Sequence, residues 1–175
     1  GWISKNKNQI NSVKAIEILN SRNVPCKLEI VGGVANNKDQ QYYNKLLKYI
    51  NASKYKDKIL TFSRKSKTEL IKHYRNSQIF LMPSYSETFG LVYIEALSQG
   101  LPILYSRNQG VDQLFDNVPV GASIDPTDPK DIAEKILFLR DNYTKLSNNI
   151  DIHLNNFKWD SIVEKFINEV YLFRN

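Results

Sequence analysis

The stretch from Gln78 to Tyr105 constrains the fold more than any other part of the chain. A short apolar run, Gln78 to Met82, has the length of a buried strand, and Pro83 and Ser84 end it. A polar loop follows, and from about Gly90 to Gln99 the apolar spacing becomes helical. Gly100 stands where a helix finishes on a left-handed glycine, and Leu101-Pro102 leads into a second apolar run, Ile103 to Tyr105. Strand, loop, helix and strand in that order predict a parallel sheet, because parallel neighbours need a crossover and a helix supplies it.

Two carboxylates frame this unit. Glu87 lies in the loop and Glu95 inside the helix. Helical side chains tilt toward the helix N-terminus, so Glu95 leans back toward the end where Glu87 lies. Between them, Thr88 to Leu91 offer the unpaired N–H groups of a first helical turn, an end that suits a phosphate. A carboxylate repels a phosphate but accepts hydrogen bonds from neutral hydroxyls. A ligand with a charged middle and hydroxyl-rich ends fits, and a nucleotide-sugar is such a ligand. Glu87 has a plainer account as a solvated acid near a helix start. Glu95 sits among Leu91, Val92, Ile94, Ala96 and Leu97, so it needs a partner or a cleft.

Glu87-Thr88-Phe89-Gly90-Leu91 followed by Glu95 resembles the E-x7-E signature of family 4 glycosyltransferases. Pro83-Ser84, Glu95-Ala96-Leu97 and Gly100-Leu101-Pro102 match the same family in register, and weaker similarity runs over nearly the whole chain. The resemblance implies an α/β fold, a Rossmann-like parallel sheet with helices on both faces, as in the C-terminal half of a GT-B enzyme. It implies that residues 1–175 form a single nucleotide-sugar-binding domain, with an acceptor-binding N-terminal domain as partner. It further implies retaining transfer of a hexose from a UDP- or GDP-type donor to a glycan, lipid or similar acceptor, with no cofactor and no obligate metal.

The same resemblance assigns site residues. Glu87 and Lys7 are the catalytic candidates: Glu87 orients the sugar hydroxyls and Lys7 meets the departing diphosphate. Glu95 grips the ribose, and Thr88, Phe89, Gly90 and Leu91 supply the helix N-terminus. Gly1 and Lys7-Asn8 match family positions, but Trp2 stands where the family has an Arg, which removes one guanidinium. Lys5 reads as an ordinary surface lysine. Gly33, in Gly32-Gly33, either lets the ligand approach the backbone or makes a turn. Arg64, after Ser63, either stacks on the nucleobase or lies on the surface. Gln109-Gly110 replaces a common Gly-Gly, and Gln113 stands where a Glu is usual. Two other functions stay open: a non-catalytic nucleotide-sugar-binding module, and another GT-B-like enzyme such as a nucleotide-sugar epimerase.

Composition narrows the classes. A chain of 175 residues can bury one core. No apolar run approaches the ~20 residues of a membrane span, and nothing at the start reads as a signal peptide. One cysteine allows no internal disulfide, and two separated histidines, His73 and His153, suggest no metal motif. The net charge is +6, but the lysines are spread and none of their runs resembles a nucleic-acid arm. The expectation is no nucleic-acid partner and a cytoplasmic protein. The lesser alternative is a peripheral membrane patch between Lys54 and Lys72. Gly1-Trp2-Ile3 reads as the end of a strand, which suggests a domain excised from something longer.

Along the rest of the chain the pattern predicts helices over Gln9 to Arg22, Asp39 to Asn51, Ser66 to Arg75, Gly110 to Phe115 and Asp128 to Asp141. Strands are expected at Lys27 to Val31, Ile59 to Phe62 and Gly121 to Ile124. Ser66-Lys67-Thr68-Glu69 reads as a capping box, and Asp128-Pro129 as an N-cap with proline at the first position. Asn142 to Asn156 is expected to be partly helical, and a last helix runs to about Phe173 with Phe157, Trp159 and Phe166 in its core. The loops after the strands, including those at Trp2, Gly32, Ser63, Pro83 and Ser106, should gather at one edge of the sheet.

Overall fold

Short strands alternate with helices that carry the chain back across the sheet. A computed structural model describes residues 1–112, 114–115, 119–155, 163 and 167. In order, the elements are α1 (Gln9–Ser21), β1 (Leu28–Val31), α2 (Asn37–Ala52), β2 (Ile59–Phe62), α3 (Lys67–Arg75), β3 (Phe80–Met82), α4 (Leu91–Leu97), β4 (Ile103–Ser106), β5 (Gly121–Ile124), α5 (Pro129–Asp141) and α6 (Tyr143–Asn155). Every ladder among the described residues is parallel: β1 with β2, and β3 with β4 with β5. Trp2 adds an isolated parallel bridge to Gly33, so the strand expected at Gly1-Trp2-Ile3 is reduced to one bridge beside β1.

Alternation along β4 puts helices on both faces of its sheet. Ile103 and Tyr105 pack with Tyr74 of α3 and with Tyr93, Ala96 and Leu97 of α4. Leu104, between them, points the other way, into Ala15 and Leu19 of α1 and Ile132, Ala133 and Leu139 of α5. A third cluster joins Ile30 and Ile59 to Ile3, Val13, Ile16, Leu46 and Ile50. Complete burial of a side chain such as Leu104 contributes about 2 kcal/mol.

Local chemistry sets the helix ends. Ser66 and Glu69 form both bonds of the expected capping box. Asp128 caps α5 by accepting from the Lys130 N–H, with Pro129 next. At the end of α4 the Leu101 and Gly100 N–H groups bond the carbonyls of Ala96 and Leu97, the paired closure that a left-handed Gly100 permits.

Some boundaries differ from expectation. β3 begins at Phe80 and α4 at Leu91, each later than predicted. The helix predicted from Gly110 to Phe115 is a set of turns over the described residues 107–112 and 114–115. Asn108 and Gly110 both take left-handed backbone angles, which a right-handed helix cannot include. α6 is continuous where only partial helicity was expected. Gln113, Phe157, Trp159 and Phe166 lie outside the described residues. No helix among the described residues is long and apolar enough to cross a membrane.

Candidate functional site

The loops at the carboxyl ends of the strands do gather. Gly33 follows β1 and bonds the chain start in both directions, Ile3 N–H to Gly33 O at 2.8 Å and Gly33 N–H to Gly1 O at 3.3 Å. Arg64 follows β2 and lies over the Trp2 ring, 5.4 Å from its centroid. The loop after β3 meets the chain start through Tyr85 N–H and Asn6 O at 2.8 Å, and meets the loop after β4 through Gly110 N–H and Glu87 O at 2.9 Å. Beyond β5, Pro126 O accepts from the side-chain amides of Asn8 at 2.6 Å and Asn11 at 2.9 Å. Amide side chains thus hold together loops that share no ladder.

Glu87 and Lys7, the two catalytic candidates, form an ion pair with each other, both largely shielded from solvent. The Glu87 N–H donates to Gln109 Oε1 at 3.2 Å. The side chain passes between two glycines. A Cβ on Gly90 would lie 3.2 Å from Glu87 Cγ and 2.7 Å from the Tyr93 ring, and one on Gly110 would lie 3.0 Å from Glu87 Cγ. Both glycines also have positive φ, +80° and +58°. Beneath this, Tyr93 donates to Met82 O at 3.0 Å. Burial, then the nearby Glu87 charge, push the Tyr93 hydroxyl well above its ordinary range, so it stays a donor. Thr88, Phe89 and Leu91 are exposed, and the last two present apolar surface at the start of α4.

Glu95 belongs to a second part of the site. It lines a cleft of about 420 Å³ together with Trp2, Gly32, Arg64, Lys67 and Tyr74. Tyr74 donates to Glu95 Oε2 at 3.2 Å. Burial, and secondarily the Glu95 charge, raise the Tyr74 pKa far above the usual value, which keeps the hydroxyl available for that bond. The cleft is therefore lined by one carboxylate, Glu95, and by the cations of Arg64, Lys65 and Lys67, at a volume typical of small-ligand sites. Gly32, not Gly33, faces it. A Cβ on Gly32 would come within 2.3 Å of Gly1 O, so the glycine pair serves close packing of the chain start; Gly33 is the bridge residue.

Sequence reasoning singled out Glu87, Glu95, Lys7 and Arg64 as candidates but not what each touches. Tyr74 and Asn6 were missed, being 21 and 80 positions from their partners. Trp2 and Gln109 carried a signal, each as an unexpected residue at its position, but the bond from the Glu87 N–H to Gln109 was not foreseen. Lys5 is exposed, as read. Among the described residues no group of three or more His, Cys, Asp or Glu is placed to hold a metal.

Parallel ladders between helices, with the candidate site at the carboxyl ends of the strands, make a Rossmann-like α/β domain. The chain belongs to the family described as glycosyl transferases group 1, whose profile matches residues 1–153. A D-inositol 3-phosphate glycosyltransferase of Corynebacterium kroppenstedtii is 31% identical over 106 residues, covering 59% of this chain and 23% of that protein. Anabaena HepE in complex with UDP-glucose superposes with a TM-score of 0.78 at 16% identity, over 93% of this chain and 44% of HepE. The C-terminal domain of a group 1 glycosyltransferase, LpcC of Francisella tularensis, superposes with a TM-score of 0.76 at 20% identity, over 91% of this chain and 84% of that domain. The chain thus spans under a third of that curated relative and under half of HepE.

Proposed function

We propose that residues 1–175 are one donor-binding domain of a retaining glycosyltransferase, which holds a nucleotide-diphosphate-sugar for hexose transfer to a glycan, lipid or similar acceptor bound by a separate N-terminal domain. The observation that carries this reading is the division of the site into a cleft with Glu95 and a neighbouring Lys7–Glu87 pair. Ribose hydroxyls bond Glu95, supported by Tyr74. The base lies toward Arg64 on the Trp2 ring, where a planar guanidinium stacks. The diphosphate meets Lys7 and the N–H groups from Thr88 to Leu91, and the sugar hydroxyls meet Glu87.

In the reaction the bond from the anomeric carbon to the diphosphate oxygen breaks and the acceptor oxygen takes its place. The acceptor proton leaves with the nucleoside diphosphate. Negative charge grows on the leaving oxygen, and the Lys7 ammonium counters it. The chain's own contribution is position and electrostatics, with no cofactor beyond the donor. A UDP-type donor is the first to test, because HepE, of the same fold, binds UDP-glucose.

Calorimetric titration with UDP-, GDP- and ADP-sugars, and with the matching mono- and diphosphates, tests the reading. Micromolar to millimolar binding that needs the second phosphate is expected. Equal affinity for mono- and diphosphates, or none for any of them, sinks it. Trp2 in place of the family's Arg supports a second reading, a module that binds a nucleotide-sugar without turning it over. Sugar transfer by the protein carrying both domains would exclude that one.

A further inference from the structure

We propose that Asn6 is a positioning residue for Glu87. The side-chain amide of Asn6 clasps one residue of the loop after β3, Ser86, by both of its backbone groups: Nδ2 donates to Ser86 O at 2.8 Å, and Oδ1 accepts from Ser86 N–H at 3.0 Å. The Asn6 backbone adds a third bond, accepting from Tyr85 N–H at 2.8 Å. One residue thus makes three bonds to the two residues immediately before Glu87, eighty positions away in sequence. An amide has a donor and an acceptor in one plane, so it meets the N–H and C=O of one residue as a neighbouring strand would. No other side chain of this length does so: serine lacks the second arm, and aspartate would turn a charged oxygen toward the Ser86 carbonyl.

Gln109 and Gly110 bond the backbone of Glu87 itself, and Asn6 holds the two residues before it. Tyr85, Ser86, Thr88 and Phe89 are all exposed, so little apolar packing fixes the segment around Glu87. Lys7 holds the carboxylate, but under the nucleotide-sugar reading, on which this inference rests, Lys7 must turn to the diphosphate when donor binds. The Asn6 clasp grips backbone and does not involve the carboxylate. It keeps Glu87 aimed at the sugar after Lys7 has left. Asn6 and Lys7 are adjacent, so the anchor of the loop and the ligand for the phosphate move as one piece.

The test is calorimetric titration of this chain and its variants with UDP and with UDP-glucose. Asn6→Ala should leave the UDP dissociation constant within twofold and weaken UDP-glucose fivefold or more. Asn6→Ser, which keeps one hydrogen-bonding arm and adds no charge beside Lys7, should do the same to a smaller extent and serves if the alanine variant does not fold. The decisive arm is a double-mutant cycle: once Glu87 is alanine, Asn6→Ala should change UDP-glucose affinity no further. A merely structural role would weaken both ligands together, or would add to the Glu87 variant, and either result overturns the proposal. Wild-type binding with no response in the Asn6 variants overturns the positioning role alone. Failure of the wild type to bind either ligand removes the UDP-type donor reading, and this inference with it.

Discussion

Lys7 and Glu87 carry opposite charges and neutralise each other before any ligand arrives. Removing the carboxylate charge therefore frees a cation at the place the diphosphate is proposed to occupy. Glu87→Gln should tighten UDP binding about three- to tenfold at low salt, and 1 M salt should erase most of the gain. The gain should shrink for UDP-glucose, which loses a hydroxyl acceptor at the same time. Lys7→Met should weaken both. If Glu87→Gln leaves UDP affinity unchanged at low salt, the lysine does not serve the phosphate. Glu95 is expected to behave oppositely: Glu95→Gln should weaken UDP and UDP-glucose alike, by about fivefold, since an amide keeps only part of a charged hydrogen bond. A variant that binds both as the parent does, yet melts earlier, would make Glu95 a partner of Tyr74 and nothing more. At this scale the candidate groups were legible and their neighbours were not. A glutamate inside an apolar helical run announces itself by type and spacing, but the phenol that meets it, Tyr74, reads as one more buried aromatic until the chain is folded.

The same division holds for whole elements. Capping is local chemistry, so Ser66 and Glu69 were readable as the start of α3 and form both capping bonds. Ser66→Ala removes the side-chain acceptor for the Glu69 N–H and should cost about 1 kcal/mol, seen as a melting temperature lower by about 2–4 °C in a domain of this size. An unchanged melting temperature would mean that tertiary packing alone defines where α3 begins. Glu69 feels the same bonds: its carboxyl is held below the usual range first by the Ser66 hydroxyl and then by the Ser66 N–H. The stretch after β4 was misread because the sequence pattern carries no record of backbone sign. Asn108 and Gly110 take left-handed angles that admit the Glu87 loop, and the apolar spacing of Val111 and Phe115 then serves packing, both being buried, without a helix. The strand at the chain start shrank to a bridge because Gly33 is the only residue of β1's continuation that it pairs with among those described.

Across the whole molecule, alternation of strand and helix was enough to predict the parallel sheet, while the positions of the clusters depend on which face each strand residue takes. Those faces bury aromatic hydroxyls, and the burial has a pH consequence. Tyr74 and Tyr93 have hydroxyl pKa values raised well above the usual ~10, in both cases first by burial and then by a carboxylate, Glu95 or Glu87. Tyr49 is raised to about 12, by burial and by its bond to Glu17. A raised acid keeps its proton in the folded state where the unfolded chain has already lost it. The stabilisation is therefore fully present below pH ~10 and is lost as the pH climbs from there through the folded-state values. Between pH 6 and 9 these groups should contribute no slope. Above pH ~10, Tyr74 and Tyr93 should each add a loss of up to about 1.4 kcal/mol per pH unit. Urea unfolding of the parent and of Tyr74→Phe at pH 8 and pH 11 separates the contribution. The variant is expected to be less stable at pH 8, having lost the bond to Glu95, and to fall less between the two pH values, by about 1 kcal/mol. Equal falls in parent and variant would mean that Tyr74 ionises as readily folded as unfolded, and that its hydroxyl is not held as the proton donor to Glu95.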